Sequence, residues 1–211
     1  MLKQYLTVKG EGTHEIIIQK SRFIAHVNRV TTEEEAQNFI LTIKKKHWNA
    51  THNCSAYMIG EQNQIQKASD DGEPSGTAGV PILEVLKKKD LKDTAVVVTR
   101  YFGGIKLGAG GLIRAYSKST SEGIDHTGIV KRILVCIVHT KIDYTWLGKV
   151  ENELRSSIFN NIKEINYLDQ VEILTYVETD QVEAFIEWMT ELTNGQAAIT
   201  EGEVLYLEKE I

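Results

Sequence analysis

The chain has 211 residues, 24 basic and 29 acidic side chains and 42% apolar residues. That composition excludes disordered and fibrous classes and leaves room for one or two compact domains. A net charge of −5 argues against a simple basic nucleic-acid binder.

In chain order, Glu15–Lys20 and Phe23–Val30 read as strands joined tightly at Lys20-Ser21-Arg22. Thr31-Thr32 ahead of Glu33-Glu34-Glu35 marks a helix start, with a hydroxyl cap and then acids in the first turn. Ala36, Phe39, Ile40 and Ile43 give that helix one apolar face, and Lys44-Lys45-Lys46 closes it. Strands over Cys54–Ile59 and Ile65–Ala68 follow, then a loop over Asp70–Gly79 in which Ser75 or Thr77 would cap the next helix. That helix opens at Pro81 and runs through Leu86, since proline is tolerated only in a first turn. Ala95–Thr99 is a continuous apolar run, the mark of a buried central strand, and Leu112–Ile124 is a helix. This order predicts an α+β sheet with helices on one face.

The remainder alternates more clearly. Ile133–His139 is a strand, Tyr144–Ser156 a helix, Asn161–Tyr167 and Val171–Val177 strands, Gln181–Leu192 a helix and Ile199–Leu207 a strand. The β-α-β-β-α-β order is that of a ferredoxin-like domain. Charge divides near the same place: residues 1–132 carry 19 basic against 14 acidic side chains, a net of +5, and residues 133–211 carry 5 against 15, a net of −10. The expected domains are therefore 1–131 and 132–211. The acidic half either docks on a basic protein partner or only keeps the chain soluble.

Chemistry concentrates in Thr99–Arg114, where Gly103, Gly104, Gly108, Gly110 and Gly111 fall within nine positions between a strand and a helix. Glycines allow close backbone approach, and a helix N-terminus offers free amides to an anion. Arg22, Arg100, Lys106 and Arg114 supply positive charge, and Tyr101 and Phe102 supply stacking faces, of which strand alternation leaves at most one free. The same glycines would equally serve a tight strand-to-helix turn. The spacing fits neither a P-loop nor a dinucleotide fingerprint. His52, Asp70, Asp71 and Glu73 form a second polar group, either a site or a solvated turn. His47, His52 and Cys54 lack partners for a zinc site, so no metal or other cofactor is expected. Cys54 and Cys136 make no disulfide framework, which points to a reduced, cytosolic setting. Residues 1–12 hold no signal-peptide stretch, and the apolar run Ile133–Val138 is far short of the ~20 residues a spanning helix needs, so no membrane partner is expected.

Several blocks carry a resemblance: Lys20-Ser-Arg-Phe-Ile24, His52-Asn-Cys-Ser-Ala-Tyr57, Asp70–Thr77, and Gly79–Leu83 through Val97–Gly108. Over the first 125 or so residues the chain resembles the IMPACT family, and its acidic half is similar to the ferredoxin-like domain of that family's bacterial branch. The resemblance implies a first domain like the second domain of ribosomal protein S5, and a pair like domains IV and V of the translocating elongation factor. Eukaryotic members act in translational control through a separate N-terminal domain that this sequence does not carry. The expected function is a non-enzymatic, translation-associated protein that binds RNA or the ribosome, without DNA sequence specificity. The competing expectations are an enzyme on a phosphorylated small molecule, held at the glycine-rich anion site, and a protein-docking module.

Overall fold

A computed structural model describes residues 1–211. Its elements are β1 (Gln4–Val8), β2 (Gly12–Ile18), β3 (Ser21–Arg29), α1 (Glu33–Lys46), β4 (His52–Ile59), β5 (Ile65–Ser69), α2 (Gly79–Lys88), β6 (Thr94–Tyr101), α3 (Gly108–Thr127), β7 (Ile129–Ile142), α4 (Tyr144–Ser156), β8 (Ile162–Tyr167), β9 (Val171–Glu178), α5 (Val182–Leu192) and β10 (Ala198–Glu210). They form two compact units, one of residues 5–131 with 210–211 and one of residues 132–209 with 1–4. Both units are α+β. No helix is long and apolar enough to cross a membrane.

The N-terminal unit holds an antiparallel sheet in the order β2-β3-β6-β4-β5. The apolar run of β6 lies at its centre because both faces are covered. Val96 and Val98 pack with Phe23, Ala25, Ala56 and Met58 beneath α2 and α3, through Ile82, Leu86, Leu112 and Tyr116. Ala95 and Val97 pack on the opposite face against Ala36, Phe39 and Ile43 of α1. The helices therefore occupy two faces, not the one expected. An amphipathic period says that a helix buries a face; it does not say on which side of the sheet.

Local chemistry sets the boundaries. Thr32 caps α1 by accepting from the Glu35 amide at 3.2 Å, and the Glu35 carboxylate reaches back to the Thr31 amide at 2.7 Å. The β2–β3 turn falls on Gln19 and Lys20, both with positive φ (45° and 65°), as a two-residue hairpin whose twist matches its strands requires. The cap of α2 comes from Asp70, not from Ser75 or Thr77: its carboxylate accepts from the amides of Gly76, Ala78 and Gly79 at 2.8, 3.0 and 2.8 Å. Helix α3 begins at Gly108, four residues before the expected Leu112, so half the glycine-rich segment is its first turn.

In the C-terminal unit the strand order is β10-β7-β9-β8, the ferredoxin-like arrangement. Cys136, Val138, Val171 and Ile173 meet Val150, Leu154, Phe185 and Met189 in one core, where Phe159 packs edge-on against Phe185 at 5.1 Å.

Candidate anion-binding site at the glycine-rich turn

The site begins with alternation along β6. Val96, Val98 and Arg100 share the face beneath α3, so the last of these carries a guanidinium into the end of an apolar layer. Arg100 is only 5% exposed and Glu73 8%. Arg100 Nη1 donates to Glu73 Oε1 at 2.6 Å, and the guanidinium carbon lies 5.5 Å from the ring centres of both Phe23 and Phe102. The same carboxylate oxygen accepts the Tyr116 hydroxyl at 2.8 Å. Arg100 Nε has no partner, although it is buried. The loop folds back so that Glu73, 27 positions before Arg100, meets it.

Around this pair the other polar groups hold one another. The Cys54 thiol donates to the Asp70 carbonyl at 2.9 Å and lies 3.3 Å from the Tyr116 oxygen. Burial pushes the Cys54 thiol up to about 12 and raises the Tyr116 hydroxyl further, so both stay protonated at neutral pH. Neither is an activated nucleophile. His52 Nδ1 lies 2.8 Å from the Asp71 carbonyl, which can only accept, so this nitrogen carries the proton. His52 Nε2 faces Glu73 Oε2 at 3.8 Å. Asp71 takes Lys44 Nζ and the Asn53 amide, each at 2.6 Å. Burial works to raise the Asp70 carboxyl, but the amides of Gly76, Gly79 and Ala78 outweigh it and hold it below the ordinary range.

The glycines then bring a helix end over the pair. A Cβ on Gly103 would collide with the backbone of Lys20 and Ser21, and its amide donates to Ser21 Oγ at 3.1 Å. Gly104 and Gly108 take φ of 86° and 68°, which turn the chain into α3. Helix α3 has no side-chain cap and no acid in its first turn, and Gly108, Ala109 and Gly110 are exposed. Its free amides and dipole therefore point positive charge outward. A cavity of about 400 Å³ lies here, lined by Thr51, His52, Glu73, Pro74, Arg100, Phe102, Lys106 and residues of α3.

The predicted residues divide. Arg100, Phe102, Lys106, Gly108, His52 and Glu73 line the cavity. Gly103 and Gly104 shape its rim, and Asp70 and Asp71 support it from behind through the contacts above. Arg22 and Tyr101 do not join it. Tyr101 follows Val97 onto the α1 face, where Arg22 stacks on its ring at 5.3 Å while pairing with Glu15 at 2.8 Å. Arg114, Gly110 and Gly111 lie on α3 outside the lining. Sequence reading missed Thr51 and Tyr116, and it considered Cys54 as a metal ligand; for Tyr116 the signal was its four-residue spacing from Leu112. The zinc-type cluster does not assemble, because His47 turns to His26, at 4.9 Å between rings, and away from His52 and Cys54.

A two-domain α+β protein with a polar cavity at a glycine-rich helix start is what fold and site define together. Comparison with known proteins places it. The Impact N-terminal domain model matches residues 19–124, and a domain of unknown function (DUF1949) matches residues 140–196. The chain is 69% identical over 211 residues to the IMPACT family member YvyE of Bacillus subtilis (strain 168), covering 100% of this chain and 97% of that protein. It is 32% identical over 200 residues to an IMPACT family member of Haemophilus influenzae, covering 94% and 97%. A crystal structure described as that of a hypothetical protein aligns with a TM-score of 0.61 at 27% identity, covering 96% of this chain and 99% of that one. The chain belongs to the IMPACT family.

Proposed function

We propose that this protein is a translation-associated regulator that binds RNA or the ribosome through phosphate contacts in the cavity of its N-terminal unit. The observation that carries the reading is Arg100, a nearly dry guanidinium with an unpartnered Nε, in the wall of a cavity that the bare first turn of α3 also lines. A phosphate there would meet helix amides, Lys106 and the unpartnered Nε of Arg100, a donor set that suits it although the Glu73 carboxylate that pairs with Arg100 also lines the cavity. The unit itself, residues 5–131 with 210–211, carries 17 basic against 15 acidic side chains, so what would draw such a ligand is the local charge of Lys106 and the start of α3 rather than the unit's net charge. The family resemblance supplies the link to translational control. With Cys54 and Tyr116 held protonated, the groups around the cavity favour binding over covalent chemistry.

Co-sedimentation with ribosomes across a salt series tests this. The protein should travel with ribosomes at about 50 mM salt and leave them by about 200 mM, as phosphate contacts require. Lys106→Glu should weaken the association at every salt. A protein that stays at the top of the gradient at low salt refutes the reading. A large thermal shift with one small phosphorylated compound would then favour an enzyme or small-ligand site.

A further inference from the structure

Trp48 is 82% exposed, although it belongs to a loop that is firmly tied down. The Ala50 amide donates to the His47 carbonyl at 3.0 Å and the Thr51 amide to the Arg100 carbonyl at 2.9 Å. Asn49 Oδ1 accepts the Tyr101 hydroxyl at 3.3 Å, and Thr51 Oγ1 accepts the Phe102 amide at 3.0 Å. The indole therefore stands in solvent on a fixed support at the end of the sheet that carries the cavity, with no core to serve. Thr51 lines that cavity and lies three positions after Trp48, a reach of at most about 10 Å. Phe102, 47% exposed, borders the cavity as well.

The charges at this end are one-sided. Lys45, Lys46 and Lys106 are exposed, as is Lys20 in the turn against Gly103. The nearby acids are already engaged: Glu15 by Arg22, Asp71 by Lys44, and Glu73 by Arg100. An apolar protein partner would cover the indole and leave the lysines unmatched. A ligand with both negative charge and open π faces matches both.

We infer that the N-terminal unit takes single-stranded RNA, with Trp48 stacking on a base next to the phosphate cavity. The inference rests on the phosphate reading above and adds the form of the nucleic acid and a residue outside the cavity. Bases in a duplex are stacked on one another and closed to an indole, whereas an unpaired base offers its face.

The test uses the full chain and one labelled RNA oligonucleotide, offered single-stranded or annealed to its complement, at about 50 mM salt. Trp48→Ala should weaken single-strand binding by about 5- to 100-fold, the range for losing one base–aromatic stack. Trp48→Phe should retain most of the affinity. Duplex binding should be the weaker of the two in the parent and indifferent to Trp48. Equal affinities for single strand and duplex, or full single-strand binding by Trp48→Ala, would overturn the inference. If Lys106→Glu still lowered binding in that case, the phosphate reading would survive alone. No binding of either RNA, with no ribosome association, would remove both.

Discussion

Replacing Glu73 by glutamine removes a charge and almost no volume, so it isolates the electrostatics of the Arg100 pair. In the parent, one carboxylate oxygen takes Arg100 Nη1 at 2.6 Å and the Tyr116 hydroxyl at 2.8 Å, with both ends of the ion pair nearly dry. In the variant the guanidinium stays charged, as arginine does in proteins, and keeps its desolvation cost without the counter-charge. Breaking a buried pair from one side costs about 3–5 kcal/mol. The amide oxygen can still accept one bond, which puts the expected loss near 3 kcal/mol. For a unit of this size that lowers Tm by roughly 10 °C. Calorimetry is the assay, because the transition of the C-terminal unit serves as an internal reference. Removing both charges, Glu73→Leu with Arg100→Met, should recover most of the loss, since apolar replacement of such a pair is often neutral. A Glu73→Gln loss below about 1 kcal/mol would show the pair to behave like a solvated one and refute the reasoning.

Asp70→Ala should destabilise the N-terminal unit by about 1–3 kcal/mol, because three amides at the start of α2 lose their acceptor; a thermal melt equal to the parent's would contradict this. Burial, then the nearby charges of His47 and Lys46, push the His26 imidazole down to about 4. Stability should therefore be full above pH 6.5 and fall by up to roughly 3 kcal/mol as pH drops toward 4, because the unfolded chain gains a proton that the fold refuses. Urea titrations of the parent and of His26→Gln should differ in slope over that window, and matching slopes would count against it. Residues 132–211 should melt cooperatively as an isolated fragment, since Val138, Leu154, Ile173, Phe185 and Met189 lie in one core; a fragment without a transition would refute this.

What could be read in advance depended on whether the cause was local. The run Ala95–Thr99 announced a central strand because its neighbours in sequence carry the signal, and the six elements of the C-terminal unit were legible for the same reason. β1 was not. Its residues mix Gln, Tyr and Thr with two aliphatics, and its partners are distant in sequence, among them the Lys92 amide, which donates to the Leu6 carbonyl at 2.9 Å. The start of α3 was set too late because glycine is a poor helix former, yet here Gly108 needs its positive φ. In the site, the glycines and cations of the turn were visible in composition. The pairing of Arg100 with Glu73 was not, because it joins residues 27 positions apart through a turn whose path only the fold decides.

The segment between β5 and α2 has the look of a place where a protease would cut: nine residues without regular structure, with two glycines, a proline and two aspartates. The adjacent aspartates make it otherwise. Asp70 reaches forward to the amides of α2 on one face of the sheet, and Asp71 reaches to Lys44 of α1 on the other. Two consecutive residues thus fasten helices on opposite sides of one sheet, and Glu73 is drawn inward two positions later. A protease must draw a stretch of chain out into an extended form before it can cut. Drawing that stretch out would break the Asp70 cap, the Lys44–Asp71 pair and the buried Glu73–Arg100 pair together, so cleavage at this loop should be slower than its composition suggests.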